Sequence, residues 1–190
     1  MLTLSLRNQI IIGLLLVIMM ILTRGYNLVW THNLADASWA VFFLAGIYLR
    51  SAWPLLGLFL LSWSLDYAAY TWGGVSDFCI TPAYLFLIPA YTSLWLAGRW
   101  YAKQYQFSWH NITWLGVSMT AGLLACEFFS SGGFYFFSGR FTETSLNEYA
   151  ARFTQYFPSY AESFMFYIAI AIVLHTLLTT IVQQTHIRHK

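Results

Sequence analysis

Apolar residues gather into six stretches separated by short polar or glycine-bearing interruptions: residues 8 to 24, 37 to 50, 53 to 72, 82 to 101, 111 to 130 and 160 to 182. A hydrocarbon core about 30 Å thick is crossed by about 20 residues of helix, so the pattern predicts six transmembrane helices. The second stretch is short and is expected to extend backward into Leu34-Ala35-Asp36, with Asp36 or Ser38 capping its start. Pro54 and Pro82 stand where a first-turn proline is tolerated. Pro89 falls inside the fourth stretch and predicts a kink. Arg7 followed by the run Ile10 to Leu22 has the look of a secretory signal, but Thr23-Arg24-Gly25 offers no small-x-small cleavage site, so this run is taken as the first span. No repeat, low-complexity tract or linker divides the chain, and residues 1–190 are read as one transmembrane domain.

The interval between the last two stretches is not a plain loop. Residues 128 to 139 mix glycines with aromatics suited to a membrane interface. Ser145-Leu146-Asn147-Glu148 then has capping-box spacing. Leu146, Tyr149, Ala150, Phe153 and Phe157 recur near the helical period, which predicts a short amphipathic helix across the mouth of the bundle. Arg152 projects from its polar side, four residues after Glu148, a spacing at which the two can pair.

Composition agrees with a membrane setting: 59% of the 190 residues are hydrophobic and 8% charged, against about 25% charged in a soluble domain. Kinase, dehydrogenase and nucleic-acid-binding readings fall away, the last because a net charge of +2 leaves no polyanion-binding footprint. Six spans put both termini on one side. With the termini inside, Arg7, Arg50, Arg99, Lys103, Arg188 and Lys190 are cytoplasmic and Arg24, Arg140 and Arg152 are outside, so the positive-inside rule places both termini in the cytoplasm. All seven acids then fall in the outer half, and the longer connections, 25 to 36, 73 to 81 and 131 to 159, are outer ones.

Candidate chemistry concentrates in the middle outer connection and its flanks, where Asp66, Tyr67, Tyr70, Gly73-Gly74, Asp77, Cys79, Thr81 and Tyr84 fall within 20 residues. Two cysteines in different segments, with no CxxC, exclude a disulfide framework and a zinc motif. Cys79 is either a small buried hydrophobe or a thiolate serving as soft metal ligand or nucleophile. Asp77, two residues away, opposes a free thiolate, whereas a metal deprotonates the thiol outright. Cys126, in an Ala/Leu-rich stretch, is read as packing. Asp66 lies near the outer end of the third span, where a carboxylate is costly enough to require a partner, for which Arg152 and Tyr84 are the candidates. His32 is either a solvated loop residue or a metal ligand, and His175 is expected to bond within the bundle.

Three stretches carry a resemblance: Leu22-Thr23-Arg24-Gly25, the run from Leu34 to Gly46, and Ser76-Asp77-Phe78-Cys79-Ile80-Thr81-Pro82-Ala83-Tyr84. Together they resemble the BtuM family, the small cobalamin-specific substrate-binding subunits (S-components) of energy-coupling factor transporters in Gram-negative bacteria. The resemblance implies a six-helix protein of the bacterial cytoplasmic (inner) membrane. It would bind cobalamin from the periplasmic side and work with a coupling subunit and two ATPase subunits. It implies that Cys79 is the axial ligand of the corrin cobalt, with Asp66, Tyr84 and Arg152 as supporting site residues. A lone thiol makes sense on that account, because a corrin supplies four equatorial nitrogens and leaves only axial positions to the protein. A strongly donating thiolate is also expected to displace the nucleotide base of cyanocobalamin and to promote departure of the opposite ligand as cyanide. The first helix departs from the Ala-x-x-x-Ala docking pair of many such subunits, offering Gly13 and Val17.

Two other classes stand beside this one. An intramembrane enzyme would use Cys79 as nucleophile, His32 as base and Asp66 as orienter. A tetrapyrrole-binding or scaffolding protein would use its aromatics simply to pack a ring or a partner helix.

Overall fold

A computed structural model of the protein describes residues 4–24, 35–74, 76, 81–105 and 110–188. Among them every regular element is helical: α1 (Leu6–Arg24), α2 (Ser38–Tyr48), α3 (Trp53–Trp72), a 3-10 turn (Pro82–Phe86) leading into α4 (Leu87–Gln104), α5 (His110–Glu127), a π-helical turn (Phe128–Gly132) leading into α6 (Gly133–Phe137), and α7 (Leu146–Arg188). Three helical stretches, Leu6–Arg24, Asn111–Phe137 and Leu146–Leu177, are long and apolar enough to cross a membrane.

Each apolar stretch of the sequence coincides largely with helical structure, though the second, 37 to 50, overruns α2 at both ends, and several expectations are corrected. α2 does not extend back through Ala35 and Asp36; Asp36 Oδ1 instead accepts from the Ser38 backbone N–H at 2.9 Å and from its hydroxyl at 2.6 Å, which starts the helix at Ser38. Pro54 is in the first turn of α3 as expected. Pro82 opens the 3-10 turn rather than α4, and α4 begins at Leu87. Pro89 is thus its third residue, where its missing N–H is one of the four that find no intrahelical partner.

The connection between the last two apolar stretches is the largest departure. Residues 131 to 137 are helical and α7 starts at Leu146, so the non-helical part is only residues 138 to 145. The amphipathic segment is not a separate helix: it runs through Pro158 into the last apolar stretch as one helix of 43 residues. Proline is better tolerated in membrane helices because neighbouring groups take over the freed carbonyls. At 1.5 Å per residue α7 is about 65 Å long, roughly twice the thickness of a hydrocarbon core.

α2 is the centre of the packing. Eight of its eleven residues are buried, as expected of a helix apolar all round. It packs chiefly against α4, which in turn packs against α5. The α2–α4 crossing is made by two glycines facing each other's backbone. A Cβ on Gly46 would land on the Trp95 carbonyl and 3.1 Å from the Arg99 nitrogen, and one on Gly98 on the Phe43 carbonyl and 3.2 Å from the Ile47 nitrogen. Such small residues let backbones approach where lipid supplies no hydrophobic drive to associate. Gly122 does the same for α5, its Cα facing the Ala97 Cβ, and Ser118 donates to the Ala97 carbonyl at 2.5 Å.

Large apolar side chains also cover the outside. Ile10, Leu14 and Ile18 of α1 and Phe166, Val173 and Leu177 of α7 are all more than half exposed. A helix apolar toward the core and toward the exterior has lipid, not water, as its neighbour.

Candidate functional site

The C-terminal ends of α1, α3 and α5 meet the N-terminal ends of α2 and α4 at one end of the bundle, and the first turns of α7 rise above them. Between them lies a cavity of about 750 Å³, lined by residues from each of these elements. Its polar core is a guanidinium. Arg24, the last residue of α1, makes a two-pronged pair with Asp66 of α3: Nε to Oδ1 and Nη2 to Oδ2, both at 2.7 Å. Its remaining nitrogen donates to the Ser38 hydroxyl at 2.9 Å and the Tyr91 hydroxyl at 2.8 Å, and reaches Asp36 at 3.5 Å. The Tyr84 hydroxyl donates to Asp66 Oδ2 at 2.5 Å. One planar fork therefore ties four helices and the 3-10 turn together, a role for which lysine has neither the donor count nor the shape.

A second cluster forms the opposite wall. Arg152 of α7 pairs with Glu148 one turn earlier at 2.9 Å and lies over the rings of Tyr135 and Phe141, 5.6 and 4.5 Å from their centroids. Tyr135 donates its hydroxyl to Glu148 at 3.0 Å and accepts from the Ser145 backbone N–H at 3.0 Å. Half of the expected capping box is present, since the Glu148 N–H donates to the Ser145 hydroxyl. The Glu148 carboxylate, however, is turned to Tyr135 and Arg152. Gly133 lets the Phe86 side chain pack directly on the α6 backbone, and Phe86 stacks on Phe137 at 5.0 Å, which joins the 3-10 turn to this wall.

Asp66, Tyr84 and Arg152, drawn from positions spread over 86 residues of chain, all line this cavity. Tyr84 is a partner of Asp66; Arg152 is not, because Arg24 holds that carboxylate and Arg152 pairs with Glu148. Cys79, Asp77 and His32 lie outside the described residues. On either side of Cys79, Ser76 and Ala83 line the cavity. Cys126 is fully buried, as a packing residue should be, and His175 bonds Tyr48 through its Nδ1 at 3.3 Å.

Sequence reasoning missed Arg24, Tyr91 and Glu127. The first entered only as an outer positive charge and in a stretch of resemblance, although an arginine closing an apolar run with acids nearby in the fold signals a buried partner. Glu127, at the end of an apolar stretch, gave the same signal and was only counted among the outer acids. It lines the cavity, is buried, and among the described residues neither oxygen has a hydrogen bond. The Ser131 hydroxyl lies close enough to sense its charge but not in hydrogen-bonding geometry.

A second cavity, about 680 Å³, opens at the far end of the bundle among Ile47, Tyr48, Tyr101, Leu115, Ile172 and His175. Its walls are almost wholly apolar, and the charged cluster described above is absent from it. Among the described residues no three metal-ligating side chains converge. No protein-family model matches the chain, and no curated protein matches it.

Proposed function

We propose that the protein is a cobalamin-binding subunit for vitamin uptake, of the S-component kind, with six membrane spans, both termini in the cytoplasm and the charged cavity facing the periplasm of a bacterial inner membrane. The observation that carries this reading is the convergence of Asp66, Tyr84 and Arg152 on one cavity whose rim also includes Ser76 and Ala83, the residues flanking the Cys79 segment. Cys79 supplies the axial thiolate to the corrin cobalt, and the cobalt arrives with the vitamin as cargo. The coupling subunit and two ATPases complete the transporter.

The chain's own residues have separate tasks on this reading. Arg24 and Asp66 neutralise each other and fix the helix ends, so that the cavity keeps its shape before the ligand arrives. Because Tyr84 commits its hydroxyl to Asp66, its ring is held against the cavity as an apolar face. Trp39, Phe134, Tyr156 and Tyr160 add further aromatic surface suited to a flat macrocycle. The rival enzymatic arrangement loses support here, because both oxygens of Asp66 are engaged by Arg24 and Tyr84 rather than free to orient a histidine.

The test is the visible spectrum of purified protein incubated with cyanocobalamin, then washed. A bound corrinoid with a shifted spectrum, lost in Cys79→Ala, is the expected result. A corrinoid that keeps its cyanide and base-on spectrum, or that binds Cys79→Ala equally well, refutes direct thiolate ligation. Catalysis by Cys79 would instead leave binding intact and abolish turnover, and a scaffolding role would show little change.

A further inference from the structure

Among the described residues Asp36, Asp66 and Glu127 line the charged cavity and Glu148 stands beside its Arg152; of these four carboxylates three are spoken for. Asp36 accepts from Ser38, Asp66 from Arg24 and Tyr84, and Glu148 from Arg152 and Tyr135. The fourth, Glu127, is fully buried, and among the described residues neither of its oxygens accepts a hydrogen bond. A buried carboxyl group without a partner is destabilising, and native proteins seldom leave one unless it has a task.

Its position suggests the task. Glu127 is the last residue of α5, and the next residue starts the π-helical turn Phe128–Gly132. A π turn widens the helix by one residue and is found most often at functional sites. Here it shifts the backbone between α5 and α6 at the level of the cavity wall, with Glu127, Ser130 and Ser131 all lining the space. Tyr149 of α7 packs on the same turn, where a Cβ on Gly132 would come within 3.2 Å of its hydroxyl. The wall around Glu127 is therefore a polar patch of carboxyl and hydroxyl groups set in aromatic surroundings.

We infer that Glu127 is a ligand-recognition residue, whose carboxyl group hydrogen-bonds an N–H donor of the bound molecule. This rests on the cobalamin reading above and deepens it: a corrin carries primary amides around its rim, and an amide N–H is the donor that an unpartnered carboxyl oxygen lacks. Ser130 and Ser131 extend the same patch with groups that can donate to an amide carbonyl. The site thus discriminates at the rim, by leaving a buried acceptor unpaired when the amide is absent.

The experiment is equilibrium binding of cyanocobalamin to the purified full chain and to Glu127→Gln and Glu127→Leu, alongside thermal melting of each without ligand. Glu127→Gln keeps an acceptor oxygen and is expected to bind within about threefold of the parent. Glu127→Leu is expected to bind at least tenfold more weakly while melting at or above the parent temperature, since leucine relieves the unpartnered carboxyl. If Glu127→Leu binds as tightly as the parent, the inference falls and the cobalamin reading stands. If the parent protein binds no corrinoid, both fall together.

Discussion

Removing the positive charge at Arg24 tests whether the charged cavity is held together from within. Arg24→Met keeps side-chain length and deletes the fork that joins α1 to Asp66, Ser38 and Tyr91. At an effective dielectric of about 20, unit charges 4 Å apart attract by about 4 kcal/mol, and losing one partner of a buried pair typically costs about 3–5 kcal/mol. The pair is asymmetric, however: the Arg24 side chain is 11% exposed and that of Asp66 32%. Water can reach Asp66 once Arg24 is gone, which lowers the penalty. The almost fully buried Tyr91 hydroxyl also loses its donor, which adds about 1 kcal/mol.

The expected net loss is about 2–4 kcal/mol, or roughly 5–15 °C in melting temperature for a chain of this size. The assay is thermal unfolding of the purified protein in one detergent, run as a double-mutant cycle with Asp66→Leu. The cycle should return a coupling energy of about 2 kcal/mol, with the double variant more stable than Arg24→Met alone, because no charge is then left unpaired. A single-variant loss below about 0.5 kcal/mol, as exposed pairs give, together with no coupling, would show that the cluster is solvated and does not set the cavity's shape.

Three further variants have outcomes set by the same geometry. Gly98→Ala places a Cβ on the Phe43 carbonyl, backbone that cannot swing aside, so it should cost at least about 1–3 kcal/mol and lower the folded yield; Gly116→Ala, with nothing within 4 Å of the new Cβ, should be neutral or stabilising by up to about 1 kcal/mol in the same melting assay. Tyr84→Phe deletes the 2.5 Å bond to Asp66 but keeps the ring, so it should cost about 1 kcal/mol of stability, after discounting for the partial exposure of Asp66, and leave corrinoid binding within a few fold. A loss of binding as large as that from Cys79→Ala would mean that the hydroxyl itself, not the ring, contacts the ligand.

What the sequence disclosed and what it hid divide along a physical line. Hydropathy reports burial in apolar surroundings, and both protein core and lipid satisfy it, so the apolar runs of α1 to α5 and of α7 were legible while their ends, and the whole of α6, were not. α2 starts only at Ser38 because the Asp36 side chain takes up the Ser38 N–H, and α7 continues through Pro158, where a proline alone would predict an end. The π turn was invisible for a related reason: it changes hydrogen-bond register without changing residue type, and Phe128–Gly132 reads as interface aromatics in either geometry. At the site, Asp66 and Tyr84 could be chosen because they flank the same connection, and their contact is local in sequence. The Arg24–Asp66 pair spans 42 residues, and no local pattern ranks Arg24 above the other arginines at helix ends. What could have ranked it is cost. A carboxylate at the end of an apolar helix needs a cation, and of the three arginines expected on the outer side, Arg152 already had a carboxylate one turn away. Arg24 closes an apolar run directly and has no charged neighbour in its own helix turn, so the desolvation penalty weighs most heavily on it. The same reasoning applied to Glu127 finds no such cation among the described residues, which is why that residue points outward from the protein's own chemistry toward that of a ligand.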